Sequence, residues 1–299
     1  MTKFLQLLVG GVALGSIYAL ITLGFVVIYR ASGLINFAQG SFAILGGYFV
    51  FNLHVTWGLD FWLSFVLAII GVALVGAVIE RVILRYMIGK PVYALIMITI
   101  GLFIMIQQIV ATVWPDQTNP IDSPWGQDTW QIGDVTILVR EVWTIGFALV
   151  AFVAFFLFFR YTKYGVGMRA VALDQEAASA QGISVSRILA LSWVISAAVA
   201  AVAGIMLAAS PNGANQTISL VALTAFPALI LGGLESPGGA VIGGLTIGIA
   251  QVMTAGYLTP DSFPVLGQGF DQVMPYIVMV VVLMVRPYGL FGTKQVQRV

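Results

Sequence analysis

The side chains able to do chemistry are few and scattered. The chain has no cysteine and one histidine, His54. Thiol chemistry, disulfides, zinc centres and histidine relays are therefore excluded, and no metal site is expected. The four lysines (Lys3, Lys90, Lys163 and Lys294) stand outside the glycine spacing of a phosphate loop, so the chain holds no ATP site of that kind. No nucleophile–base pair and no clustered acid pair is present, so no catalytic residue and no enzyme activity is expected of this chain. What remains is a set of uncharged polar side chains in apolar surroundings: Asn36, Gln39, Ser41, Thr99, Gln107, Thr224 and Gln251. In lipid such groups need internal partners or water. Taken singly, each reads as glue between helices. Taken together, they read as the lining of a path for a small polar solute. Pro227 joins the set, because a proline inside an apolar helix frees a backbone carbonyl and bends the chain.

The elements that must position these residues are set by composition. Of 299 residues, 60% are hydrophobic and only 8% charged. Soluble domains carry roughly 25% charged residues, so this chain belongs in a bilayer. A net charge of +1 gives no reason to expect a nucleic-acid partner. Apolar runs near the length of about 20 residues that spans a bilayer occur at 4–28, 35–53, 61–83, 93–113, 142–159, 188–209, 218–233, 238–256 and 272–286. No window alternates as a membrane β-strand does. The expectation is an all-α, polytopic membrane helix bundle of about eight or nine transmembrane helices, forming one domain over 1–299. The first apolar run, Phe4 to Tyr29, exceeds the roughly 7–15 residues of a signal-peptide core and reads as a retained span.

Charge sets the orientation. With nine alternating spans and a cytoplasmic C-terminus, the inside segments collect Arg30, Arg81, Arg85, Lys90, Arg160, Lys163, Arg169, Arg187, Arg286, Lys294 and Arg298. Only Lys3 and Arg140 fall outside, with most of the aspartates, among them Asp116 and Asp261. No charge is expected in mid-span, which argues against a carrier driven by ion titration. Glu80, beside Arg81 and Arg85, is placed at an inner helix end within reach of water. The long outer loop, Trp114 to Trp143, carries Pro115, Pro120, Pro124 and four tryptophans suited to the lipid–water interface. His54 reads as an interfacial residue at the outer end of a span. Residues 12–24 and 221–233 share seven of thirteen positions, which suggests a parallel repeat.

The most basic polar interruption is the loop 160–187. Its middle, Ala170 to Gln181, holds good helix formers and no proline, and Gly182 follows where a helix would stop. This predicts one short helix on the cytoplasmic face, offered to a partner. The run Asp174 to Gly182, DQEAASAQG, resembles the Glu-Ala-Ala loop of permease subunits of ATP-binding-cassette importers. Together with GLINFAQGSF at 33–42, LGGLESPGGAVIGG at 231–244 and RPYGLFG at 286–292, it closely resembles the branched-chain amino acid permeases of the LivH type, over essentially the whole chain.

The resemblance implies a second, homologous permease of the LivM type and two cytoplasmic ATPase subunits. It also implies a periplasmic or tethered substrate-binding protein and a place in the bacterial inner membrane. ATP and magnesium would then sit in the partner ATPases, with no cofactor in this chain. The helix bearing Glu176, Ala177, Ala178 and Gly182 would dock in an ATPase groove and couple hydrolysis to transport. Relatives of this type serve branched-chain amino acids, urea, amides or aromatic acids. The alternative is an autonomous channel for a small solute such as urea or an amide, in which that helix would have no task.

Overall fold

The computed structural model describes residues 2–87, 90–114, 118–209, 213–259 and 268–292. Pro115, Asp116, Asp261, Lys294 and Arg298 lie outside the described residues. Helices α1 (Thr2–Ser32), α2 (Gln39–Phe51), α3 (Phe61–Val82), α4 (Val92–Val113) and α5 (Val139–Tyr161) come first. Then follow α6 (Lys163–Leu173), α7 (Gln175–Ala180), α8 (Val185–Ala208), α9 (Val221–Gly232), α10 (Pro237–Tyr257) and α11 (Phe270–Val285). A small antiparallel hairpin, β1 (Thr129–Ile132) and β2 (Val135–Leu138), precedes α5. Six helices are long and apolar enough to cross a membrane. They contain α1, α3, α4, α5, α8 and α10.

α1 is the axis of the bundle, and most of it is buried among the other helices. Its closest partner is α10, which runs antiparallel to it: Gly11 meets Ile249, Gly15 meets Leu245, and Ala19 meets Gly244. A Cβ added to Gly15 would stand 2.8 Å from the Leu245 Cα, so only small residues permit this approach. Gly11, Gly15 and Ala19 recur every fourth position, as do Gly244 and Gly248. That spacing puts each set on one helical face, where backbones pack by van der Waals contact.

The remaining contacts follow an exchange. α1 packs on α9 and α10, whereas α8 packs on α2 and α3. Each half of the chain thus lends its first long helix to the other half. α2 and α8 run parallel, Gln39 lying by Ser196 and Gly47 by Ala208. α1 and α5 also run parallel, Gly10 lying by Glu141 and Arg30 by Phe159. α8 returns from the end at which α5 finishes, so it opposes α1. α9 runs parallel to α1, Thr22 lying by Ala225 and Phe25 by Phe226, which is the relative direction that the match of 12–24 with 221–233 expects. Those segments share apolar letters, but one is the middle of a long axis and the other a short hairpin arm.

Three expected spans are short, among them α11 with 16 residues. In 35–53, helix begins only at Gln39, because Gly33 takes φ +70° and Asn36 Oδ1 accepts the Ala38 N–H at 3.0 Å. That local bond competes with helix. α2 then continues as a π-helical turn, Asn52–Thr56. In 218–233, a 3-10 turn (Gln216–Leu220) leads into α9, and Pro227 lies inside it.

Candidate functional site

The lead-in to α2 and the face of α4 bring five of the polar residues together. Gln39 is fully buried, its amide held against Ser196 of α8: Ser196 Oγ lies 2.7 Å from Gln39 Oε1, and Gln39 Nε2 donates to the Ser196 carbonyl at 3.3 Å. Gly24 of α1 makes the room, since a Cβ there would collide with the Gln39 amide. Thr99 Oγ1 donates to the Ile96 carbonyl at 2.9 Å and accepts the Phe37 N–H at 3.3 Å. Ser41 Oγ reaches the Phe103 carbonyl at 3.5 Å. Gln107 Nε2 donates to Ser219 Oγ, joining α4 to the turn before α9. Asn36 is fully buried, and its Nδ2 has no hydrogen-bond partner. Burying such a donor unpaired is costly.

Thr224 and Gln251 stand apart from this seam. Gln251 Oε1 accepts from the Tyr18 hydroxyl at 2.7 Å, between α10 and α1. Thr224 Oγ1 donates to the Leu220 carbonyl of its own helix at 3.2 Å. Pro227 is buried one residue after Phe226. The Phe226 ring stacks on Phe37 at 6.3 Å, and this aromatic pair joins the two polar groups. Gln107 and Thr224 are half-buried, whereas Asn36, Gln39, Ser41 and Thr99 are fully enclosed. Tyr18, Ser219, Phe37 and Phe226 escaped the sequence reading because single hydroxyls and rings are common in apolar helices.

At the opposite concern, the loop 160–187, the single expected helix is two. The chain breaks at Asp174 (φ −159°, ψ 114°), whose Oδ1 accepts the Glu176 N–H at 2.8 Å and the Ala177 N–H at 3.0 Å. Asp174 is thus the N-cap that starts α7. Gly182 takes φ +82° and ends the turn, as its identity predicts. Glu176, Ala177 and Gly182 are exposed, but Ala178 is buried against the chain's own bundle. Leu173, at the break, is 89% exposed. α6 is anchored by Arg169, which donates to the Phe159 carbonyl.

The basic residues gather at this end. Arg30 and Arg169 both lie over Phe159, and the helices carrying Arg81, Arg160, Arg187 and Arg286 begin or finish there. Glu80 is a correction: instead of reaching water it is 2% exposed, with Arg85 Nε 3.8 Å away. At the other end Trp125 is 2% exposed, boxed by Phe61, Trp62 and Trp143, so it serves a packed aromatic cluster rather than a lipid interface. His54 links the α2–α3 connection to the same loop: its ring nitrogens lie 2.7 Å from the Leu59 carbonyl and 2.9 Å from the Asp122 carbonyl.

A family model described as branched-chain amino acid transport system / permease component matches residues 7–283. The chain belongs to this permease family. It is 34% identical over 312 residues to the high-affinity branched-chain amino acid transport system permease protein LivH of Escherichia coli (strain K12), covering 99% of this chain and 98% of that one. It is 32% identical over 309 residues to the corresponding protein BraD of Pseudomonas aeruginosa, covering 99% and 98%. PsaBC from Streptococcus pneumoniae, solved in complex with Fab, has a similar fold, with a TM-score of 0.52 at 17% identity, covering 97% of this chain and 94% of that one. The permease is accordingly a multi-pass membrane protein, and its relatives are transport subunits. Among the described residues no cluster of metal-binding side chains occurs.

Proposed function

We propose that this permease is one of two homologous membrane subunits of an ATP-driven importer for branched-chain amino acids or related small polar solutes. Two cytoplasmic ATPase subunits, holding ATP and magnesium, drive the pair, and a periplasmic or tethered binding protein delivers the cargo. The reading rests on the family and on what its relatives are named for. One structural observation carries the coupling: Leu173 and the exposed face of α7 project beside the ends of the apolar helices, with little of their own chain to cover them. A large apolar side chain in that setting suits a groove on a partner.

The chain forms one domain that crosses the inner membrane nine times. Six crossings are the long apolar helices. The other three are α2 with its π-helical turn, α9 with its 3-10 lead, and α11. The basic end, with α6, α7 and the C-terminus, faces the cytoplasm. The hairpin and the aromatic cluster face outward.

Half of the path runs along the α2–α4 seam and the exposed flank of α9. Gln107 and Thr224 meet the cargo, and the enclosed Asn36, Gln39, Ser41 and Thr99 hold the wall in shape. Gln251 fixes α10 to α1 through Tyr18, and Pro227 gives α9 its local freedom. Alternating access follows when the ATPases move α7 and tilt the helices joined to it.

Uptake of labelled leucine by proteoliposomes holding all the subunits tests the reading. Uptake that requires both ATP and loaded binding protein supports it. Passage down a gradient through this chain alone, indifferent to ATP, replaces it with a channel.

A further inference from the structure

A cavity of about 160 Å³ lies directly behind α7, at the basic end of the bundle. Its polar corners are Glu80 of α3 and Lys90, and its apolar walls include Leu34, Leu95, Leu189 and Trp193. Gln175, the first residue of α7, closes one side. The volume is close to the roughly 150 Å³ of an engineered cavity that admits benzene, so a molecule with a short branched side chain fits.

The charges in this corner are incompletely matched. Glu80 is 2% exposed, and its Oε1 has no hydrogen-bond partner. Arg85 Nε stands 3.8 Å away, beyond hydrogen-bond distance, and is itself buried without an acceptor. The Arg85 side chain is 34% exposed and reaches water, whereas the buried Glu80 carboxylate at the cavity wall leaves one acceptor unused. Such a group is costly unless something satisfies it. One kind of ligand satisfies Glu80 from within the cavity and meets Lys90 as well. Its ammonium donates to Glu80, and its carboxylate accepts from Lys90 at the rim. Its side chain must be apolar, because leucines and a tryptophan form the walls.

We propose that this cavity is a second binding site, for an aliphatic α-amino acid, separate from the translocation path. A bound zwitterion bridges α3, α4 and α8 to Gln175 and so stiffens the segment that a partner must move. Internal amino acid then slows further import. This regulatory role rests on the importer reading, but the binding itself does not.

The test is equilibrium binding of labelled L-leucine to the full chain in nanodiscs, purified with the subunits that accompany it, without binding protein or nucleotide. Saturable binding is expected. Glu80→Gln should weaken it about tenfold or more, the usual consequence of losing a charged hydrogen bond. Leu189→Trp, which fills the cavity, should abolish it, and 4-methylpentanoate, which lacks the ammonium, should not displace the label. If Glu80→Gln fails to fold, Lys90→Ala at the exposed rim replaces it, with a several-fold loss expected. Absence of binding, or binding indifferent to Glu80→Gln and Leu189→Trp, overturns the proposal. Binding that obeys these variants in a protein that imports no leucine leaves the site standing and removes only its regulatory role.

Discussion

The Gln175 side chain donates through Nε2 to the Ala31 carbonyl across 3.2 Å, tying the first residue of α7 to the last turn of α1. α1 is the axis on which α5, α8, α9 and α10 pack. A displacement of α7 therefore acts on the axis itself. Seven residues before Ala31, Gly24 seats Gln39 at the start of α2. The coupling segment and the polar seam are thus connected through one helix.

Gln175→Ala should loosen that connection without unfolding the bundle. One hydrogen bond contributes about 0.5–1.5 kcal/mol to stability. The expected phenotype is a fall of a few-fold in leucine imported per ATP hydrolysed, with near-normal thermal stability. Uptake and phosphate release, measured on the same proteoliposomes, give the ratio.

Gly248→Val should be severe. A Cβ at Gly248 would run into the Gly15 backbone, which no rotamer change relieves. Overpacking typically costs about 1–3 kcal/mol and more where backbone must move. A marked drop in the melting temperature of the detergent-solubilised protein is expected. Gly101→Ala, on an open face of α4 with nothing near its added Cβ, should leave that temperature unchanged.

Much of this arrangement is legible in the sequence, because lipid restricts spanning elements to those that satisfy their own backbone. The long apolar runs and the positive bias of one end carry that information directly. Gly182 likewise announces its positive φ. What stays hidden is set by tertiary contact. Composition allows one helix over Ala170 to Gln181, but the Asp174 side chain captures two amide groups and breaks it. Ala177 and Ala178 look alike in sequence, yet helical rotation exposes one and buries the other. Glu80 stands where a long side chain reaches water, yet tertiary packing leaves it 2% exposed. The exchange of α1 and α8 leaves no local trace, since it depends on which half each helix packs against.

Gln39 and Gln107 separate the roles of wall and path. Gln39→Ala removes two buried hydrogen bonds to Ser196, whose Oγ keeps only the Gly24 carbonyl; at about 0.5–1.5 kcal/mol for each bond, it should lower thermal stability. Gln107→Ala removes a half-buried amide from the proposed path. It should raise the KM for uptake several-fold and barely change stability. Thermal melts and uptake kinetics on both variants make the comparison.

Leu173→Ala should weaken the hold on the ATPases. A leucine side chain that passes from exposure to full burial is worth about 1.5–3 kcal/mol, so affinity should fall by about tenfold or more. Titration of purified ATPase subunits onto the permease pair in nanodiscs measures it directly.

The most direct measurement is the ATPase rate of the complete complex in nanodiscs, with and without loaded binding protein, for the native chain and for Glu176→Lys. Glu176 is exposed in the first turn of α7, so reversing its charge perturbs a partner and not the bundle. The account predicts stimulation by loaded binding protein in the native complex and its collapse in the variant, with assembly of the membrane subunits intact. Stimulation that ignores the reversal, alongside normal uptake, would contradict coupling through α7.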